Sequence, residues 1–222
     1  MRMTTLVTLA SLLFAGAVAA ATPAQYSTDA QNQAAQRRAA LAAPVEGEQY
    51  KIINPAGKTA QPEVVEYFSY TCGHCRAMEG FLGPWKQQKP SNIQFKHMHV
   101  VGMFGAQGEL FAKAFYTAEV LGIVEKIHQP FFDLVQIERK PPRDEQEVAA
   151  FFAKFGVKEA TVLSTMKSFP VNMKIGQAKQ AMEKYRLRGV PGFVINDKYF
   201  TDGGMAKSNE MLDKLLSELP LR

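Results

Sequence analysis

Apolar positions along the chain switch between two periods. Residues Glu63 to Ser69 carry Val64, Val65, Tyr67 and Phe68 in a β-favouring run interrupted only by Glu66, which predicts a strand. Directly beyond it, Met78, Phe81, Leu82 and Trp85 return at helical spacing, so a helix is expected to start at or just before Cys72, with a kink at Pro84. Ile93 to Val101 is again β-favouring. Strand, helix, strand in that order suggests a parallel sheet unit. Upstream, Gln49 to Ile53 reads as a short strand, and Pro55, Gly57 and Pro62 mark the loop after it.

A long helical block follows. Leu110, Phe111, Ala114, Phe115 and Ala118 share one face, and Val124, Ile127, Phe131, Phe132, Leu134 and Val135 continue the pattern beyond Gly122. Pro141-Pro142 breaks it. Asp144 with Glu147 resembles a capping box, and Gly156 is placed to end the helix that carries Val148, Phe151 and Phe152. Further helices are expected over Lys158 to Ser168 and Asn172 to Tyr185. The aromatic stripe of this block has the spacing of a buried helix face, although with Met103 and Phe104 it offers an alternative as an apolar groove. A strand-containing frame then resumes: a turn at Arg188 to Gly192, a strand from Phe193 to Asn196, a hairpin turn at Asp197-Lys198, a return strand to Thr201, and a last helix from Ala206 to Leu219. The pattern predicts an α/β domain interrupted by an all-helical subdomain.

The N-terminus changes the compartment in which this fold is read. Arg2, a short apolar stretch from Leu6 to Val18 and the small residues Ala17 to Ala21 have the layout of a signal peptide, residues 1–20, whose apolar core is shorter than the ~20 residues of a spanning helix. Cleavage is expected near Ala19 to Ala21. Residues 21–47 are rich in Ala and Gln and poor in large apolar side chains, so a low-complexity, disordered tether is expected there. The rest divides into a frame of residues 48–105 and 186–222 and a helical insertion of residues 106–185. With 222 residues, 46% of them hydrophobic, the chain can bury a sizeable core. Its net charge of +5 is spread among interspersed acidic and basic residues, so a nucleic-acid partner is not expected.

Export makes the two cysteines informative. Disulfides persist outside the cytosol, but Cys72 and Cys75 of the Cys72-Gly73-His74-Cys75 motif are too close to staple a fold. A C-x-x-C pair is open to three readings: half a zinc site, part of a haem attachment sequence, or a redox pair. Haem attachment needs His after the second Cys, where Arg76 stands. A zinc site needs further ligands; His97 and His99 fall on one side of a strand, where packing or surface roles are commoner. The strand-to-helix placement favours redox chemistry, since the helix N-terminus, first-turn N–H groups and His74 can stabilise a Cys72 thiolate.

The run EYFSYTCGHC at Glu66 to Cys75, the helical insertion and RGVPGFVIN at Arg188 to Asn196 resemble the DsbA family of periplasmic thiol-disulfide oxidoreductases, which have the thioredoxin fold. The resemblance covers about residues 48 to 220. It implies a thioredoxin fold with an inserted helical subdomain, in which Cys72 is the exposed redox sulfur, Cys75 its buried partner and Val190-Pro191 a cis-proline loop beside them. Gly189 and Val190 would then hold an extended stretch of substrate, and Glu66 and Lys96 would form an acid-lysine pair beneath the disulfide. The implied activity is introduction of disulfides into reduced, unfolded exported polypeptides in the periplasm by a monomer, with a DsbB-type membrane protein as reoxidant. No metal or organic cofactor is expected, because electrons move between sulfurs. Gly73-His74 departs from the Pro-His of the strongest oxidants and matches protein disulfide isomerase, so a potential within or close to the interval from about −180 to about −120 mV is expected. A periplasmic isomerase or reductase and a peptide-binding holdase are the competing activities.

Overall fold

The computed structural model describes residues 23–222, with side chains from residue 28. The expected signal peptide lies outside the described residues. Among the described residues no helix is long and apolar enough to cross a membrane.

The frame is a five-stranded mixed sheet. In chain order its strands are β1 (Lys51–Ile52), β2 (Glu63–Phe68), β3 (Gln94–His99), β4 (Gly192–Ile195) and β5 (Tyr199–Thr201), and they lie side by side in the order β1-β5-β4-β2-β3. β2 and β3 run parallel, joined across helix α2 (Gly73–Gln88), as the strand-helix-strand pattern predicts. β4 is antiparallel to β2, and β4 and β5 form the hairpin. Its turn residues are Asn196, Asp197 and Lys198, so the expected turn at Asp197-Lys198 begins one residue earlier, at Asn196; Asn196 and Asp197 have positive φ. Asn and Asp are residues that tolerate the left-handed region.

β2 is central and buried from Val64 to Phe68. Its period of two sends Val64 and Phe68, with Glu66, to one face and Val65 and Tyr67 to the other. The first face packs under Leu82 and Trp85 of α2, and the second under Met182 and Tyr185 of a late helix. Between β3 and β4 lie five helices: α3 (Gly105–Val120), α4 (Val124–Gln136), α5 (Glu145–Ala153), α6 (Glu159–Met166) and α7 (Phe169–Tyr185). Their aromatic stripe is core. Phe111, Phe115, Phe131, Phe132 and Phe152 are fully buried, while Phe104 stays exposed. α5 begins at the expected cap, where the Glu147 N–H donates to Asp144 Oδ1 at 2.9 Å, and Gly156 follows it at positive φ.

Two expectations need correction. Residues Pro23–Ala40 are a helix, α1, instead of a disordered tether. It packs on α2 and on α9 (Asn209–Glu218), docking through the small Ala34 and the buried Arg38 instead of through a stripe of large apolar residues. Arg38 donates to Asp213 at 2.9 Å, and Lys214 Nζ donates to the Arg38 carbonyl at 2.6 Å. The single last helix is two, α8 (Gly203–Ala206) and α9. Lys207 is left-handed between them, and the hydroxyls or carboxylates of Asp202 and Ser208 each start a new helix by accepting a first-turn N–H.

Candidate active site

Cys72 is the N-cap of α2 and Cys75 sits in its first turn. Both are thiols in the structure. Cys72 Sγ accepts the Cys75 backbone N–H at 3.3 Å and lies 3.3 Å from the Val190 carbonyl, to which the neutral thiol donates. Cys75 is completely enclosed; Cys72 keeps 9% of its surface. Burial asymmetry of this kind leaves a single sulfur for an incoming thiolate to reach.

The electrostatics separate the two sulfurs as well. Hydrogen bonding from the Cys75 thiol, the backbone N–H groups of Cys75 and His74 and the charge of His74 together outweigh burial and bring Cys72 down to about 6. Burial pushes the Cys75 thiol far up, assisted by its donation to Cys72 and by the negative charges of Cys72 and Glu66. Cys72 is therefore the thiolate of the pair at neutral pH, and Cys75 the proton carrier. His74 is exposed, one residue past the N-cap.

Val190-Pro191 is cis and lies across from the sulfurs, at the start of β4. Gly192 follows it for a steric reason: a Cβ there would stand 2.8 Å from the Phe200 ring. His74, Met78 and Phe81 on one side and Gly189, Val190 and Pro191 on the other line an open cleft of about 1440 Å³. The cleft is not the one suggested by Met103 and Phe104, which do not line it.

Glu66 and Lys96 are not a pair. In the parallel register Glu66 stands opposite His97, and Lys96 stands opposite Val65. Lys96 therefore emerges on the other face, exposed, and its ammonium bonds Glu63. Glu66 is fully buried and meets the Nδ1 of His97 through Oε2 at 2.8 Å. Burial raises its carboxyl well above the usual range, and the nearby charge of Glu79 adds to this. Burial also lowers His97 to about 4 and His99 to about 3, so both are neutral at neutral pH.

Several groups that hold the cysteine turn are not apparent from the sequence. Gln136, at the end of α4, donates to the carbonyls of Tyr70 at 2.8 Å and Cys72 at 3.1 Å. Arg76 bridges α2 to Asp133 of α4 at 2.8 Å. His99 accepts the Tyr70 N–H at 3.1 Å, and its other nitrogen meets the Val100 carbonyl at 2.7 Å. The only sequence signal for these contacts is a polar side chain within a helix or strand that is otherwise apolar.

A family model, the DSBA-like thioredoxin domain, matches residues 63–219, which contain the cysteine pair, the helical block and the proline turn. The chain belongs to this family. It is a thiol:disulfide oxidoreductase with a thioredoxin fold. Its relatives include the thiol:disulfide interchange protein DsbA of Pseudomonas syringae pv. tomato, 35% identical over 81% of this chain and 87% of the relative. The protein of the same name from Pseudomonas aeruginosa is 32% identical over 78% and 82%. A crystal structure of a Pseudomonas aeruginosa DsbA variant superposes with a TM-score of 0.74 at 30% identity, covering 81% of this chain and 97% of that one. Proteus mirabilis DsbA with a non-covalently bound peptide gives 0.72 at 25% identity, over 82% of this chain and all of that one.

Proposed function

We propose that this oxidoreductase introduces disulfides into reduced exported polypeptides through a Cys72-Cys75 disulfide, in the periplasm, as a monomer reoxidised by a DsbB-type membrane protein. The observation that carries this is the setting of Cys72 Sγ: at the N-terminus of α2, fed by the Cys75 N–H, and facing the carbonyl that precedes Pro191. In the oxidised protein a substrate thiolate attacks Cys72 Sγ. The Cys72-Cys75 bond breaks, and Cys75 leaves with the electron pair and takes up a proton, as its raised pKa favours. The substrate's second thiolate then attacks its own sulfur in the mixed disulfide, and Cys72 departs as the stabilised thiolate. The substrate has lost two electrons and this protein has gained them.

His74 stabilises that thiolate through its charge. Gly189, Val190 and Pro191 line the cleft, and their backbone is the edge that holds extended substrate; that a Proteus mirabilis DsbA binds a peptide non-covalently supports a peptide as the ligand. Glu66 modulates the pair through its electrostatic coupling to both sulfurs. Lys96 has no part in this mechanism, since it lies on the opposite face. Residues 48–105 and 186–222 act as the thioredoxin-like unit and residues 106–185 as the insertion that braces it.

Replacing Cys72 by Ser is expected to abolish oxidation of a reduced model substrate; retained oxidation removes the mechanism. In cells the pair should be mostly oxidised, whereas a mostly reduced pair would favour an isomerase. Glu66→Gln should slow reoxidation, and an unchanged rate together with an unchanged Cys72 pKa removes Glu66 from the site.

A further inference from the structure

Behind the cysteine helix, on the buried side of α2, three side chains from three elements converge: Glu79 from α2, His97 from β3 and His128 from α4. One donor atom from each lies within 4.8 Å of the others. We propose that Glu79, His97 and His128 form a site for one divalent transition-metal cation, with zinc as the reference ion. The proposal departs from the sequence expectation of no metal, and it uses neither cysteine.

The donor set suits such an ion. Two imidazoles and one carboxylate are a zinc-binding combination with a fourth position left for water. With bonds of about 2.0–2.2 Å, tetrahedral donors stand about 3.3–3.6 Å apart. One edge already has that length, His128 Nε2 to Glu79 Oε1 at 3.3 Å. The other two edges are at most 4.8 Å.

The outer contacts are those of a metal site. A ligating histidine ordinarily presents one ring nitrogen to the ion and gives the other to a carboxylate, hydroxyl or carbonyl. Here His97 gives Nδ1 to Glu66 Oε2 at 2.8 Å, and His128 gives Nδ1 to the Tyr70 hydroxyl at 3.0 Å. Both rings are thereby oriented with Nε2 left for coordination. The ring centroids are 4.5 Å apart, which brings the two imidazoles to the same spot.

Charge provides an independent argument. Glu66 is completely buried, and among the described residues its Oε1 has no hydrogen-bond partner. Glu79 is almost covered, with 11% of its side chain exposed. The cation facing the Glu79 carboxylate is Lys86, 4.0 Å from Glu79 Oε2 and more exposed than Glu79. A doubly charged ion at the Glu79, His97 and His128 donors would balance the Glu79 carboxylate, and the partly exposed Lys86 can turn toward solvent. A buried, half-satisfied polar cluster is otherwise costly to keep.

The test uses the oxidised protein, whose thiols are closed, stripped of metal and carrying no affinity histidines. Titration with zinc sulfate is expected to show saturable uptake of one ion per chain. Glu66→Gln should weaken it by about 10–100-fold, and His128→Gln should remove saturable binding. Absence of saturable binding, or binding undiminished in both His97→Gln and His128→Gln, overturns the proposal. If those variants do not fold, nitrogen NMR of the unaltered protein decides: zinc should shift Nε2 of His97 and His128 and leave His74 and His99 unmoved. Shifts confined to His74, the exposed histidine, would also overturn it.

Discussion

The ionisation of Cys72 should set a measurable break in the redox potential of this protein. With its pKa at about 6, down from 9.0, about nine-tenths of Cys72 is thiolate at pH 7, against about one-hundredth for an unperturbed thiol. The disulfide has no such proton to release, so only the dithiol state gains. The ratio of titration terms at pH 7 is about 11, worth about 1.4 kcal/mol, or about 30 mV toward stronger oxidation. Because the pKa is depressed, this gain is complete above pH about 9, shrinks as pH falls and is gone below about 6. Cys75 remains protonated throughout, since its pKa is pushed the other way. Below pH about 6 two protons accompany two electrons and the potential should fall by about 59 mV per pH unit; above it one proton does, and the slope should halve to about 30 mV. Equilibration with glutathione buffers of known potential from about pH 5 to pH 8 measures the slope, and the ultraviolet absorbance of the thiolate measures the midpoint. A single steep slope through pH 8, with alkylation of Cys72 following an ordinary thiol titration, would refute the reasoning.

Three substitutions test the supports of that site. His74→Ala should raise the Cys72 midpoint only slightly, because the contributions of the Cys75 thiol and the backbone N–H groups exceed that of His74 and survive the change; a return to the ordinary thiol value by titration would put the stabilisation in the imidazole instead. Phe68→Ala should cost about 3–5 kcal/mol in urea unfolding, since its ring sits within aromatic contact distance of Tyr70, Phe115, His128 and Phe132, and a cost under about 1 kcal/mol would mean those contacts are loose. Arg38→Ala removes the ion pair between α1 and Asp213 and should cost roughly 1–3 kcal/mol; unchanged unfolding would show that α1 does not dock in solution.

Most elements were legible because their signals are local. The apolar run of β2, the helical spacing after Cys72 and the cap at Asp144 each depend on neighbours in sequence, and each element formed where its pattern lies. What failed depends on pairing between distant segments. Lys96 and His97 are equally polar interruptions of β3, and only the register of β3 on β2 decides which of them faces Glu66. A shift of one residue exchanges the two. α1 escaped for a different reason: it docks through Ala34 and the buried stem and head of Arg38, and neither adds to an apolar stripe.

The helical insertion has a part in the chemistry that its aromatic stripe does not announce. Three of its polar side chains reach the active-site frame from α4: Gln136 holds the carbonyls of Tyr70 and Cys72, Asp133 holds Arg76, and His128 meets both Tyr70 and Glu79. They grip the turn before Cys72 and the first two turns of α2, the backbone whose N–H groups must point at Cys72 Sγ for its thiolate to be stabilised. Such donors act only when fixed in advance, since the energy of reorienting them would cancel their benefit. α4 is thus fastened to the redox helix by directed bonds from His128, Asp133 and Gln136 and buried through Phe131 and Phe132, and the placement of the sulfur depends on α2 and α4 packing as one.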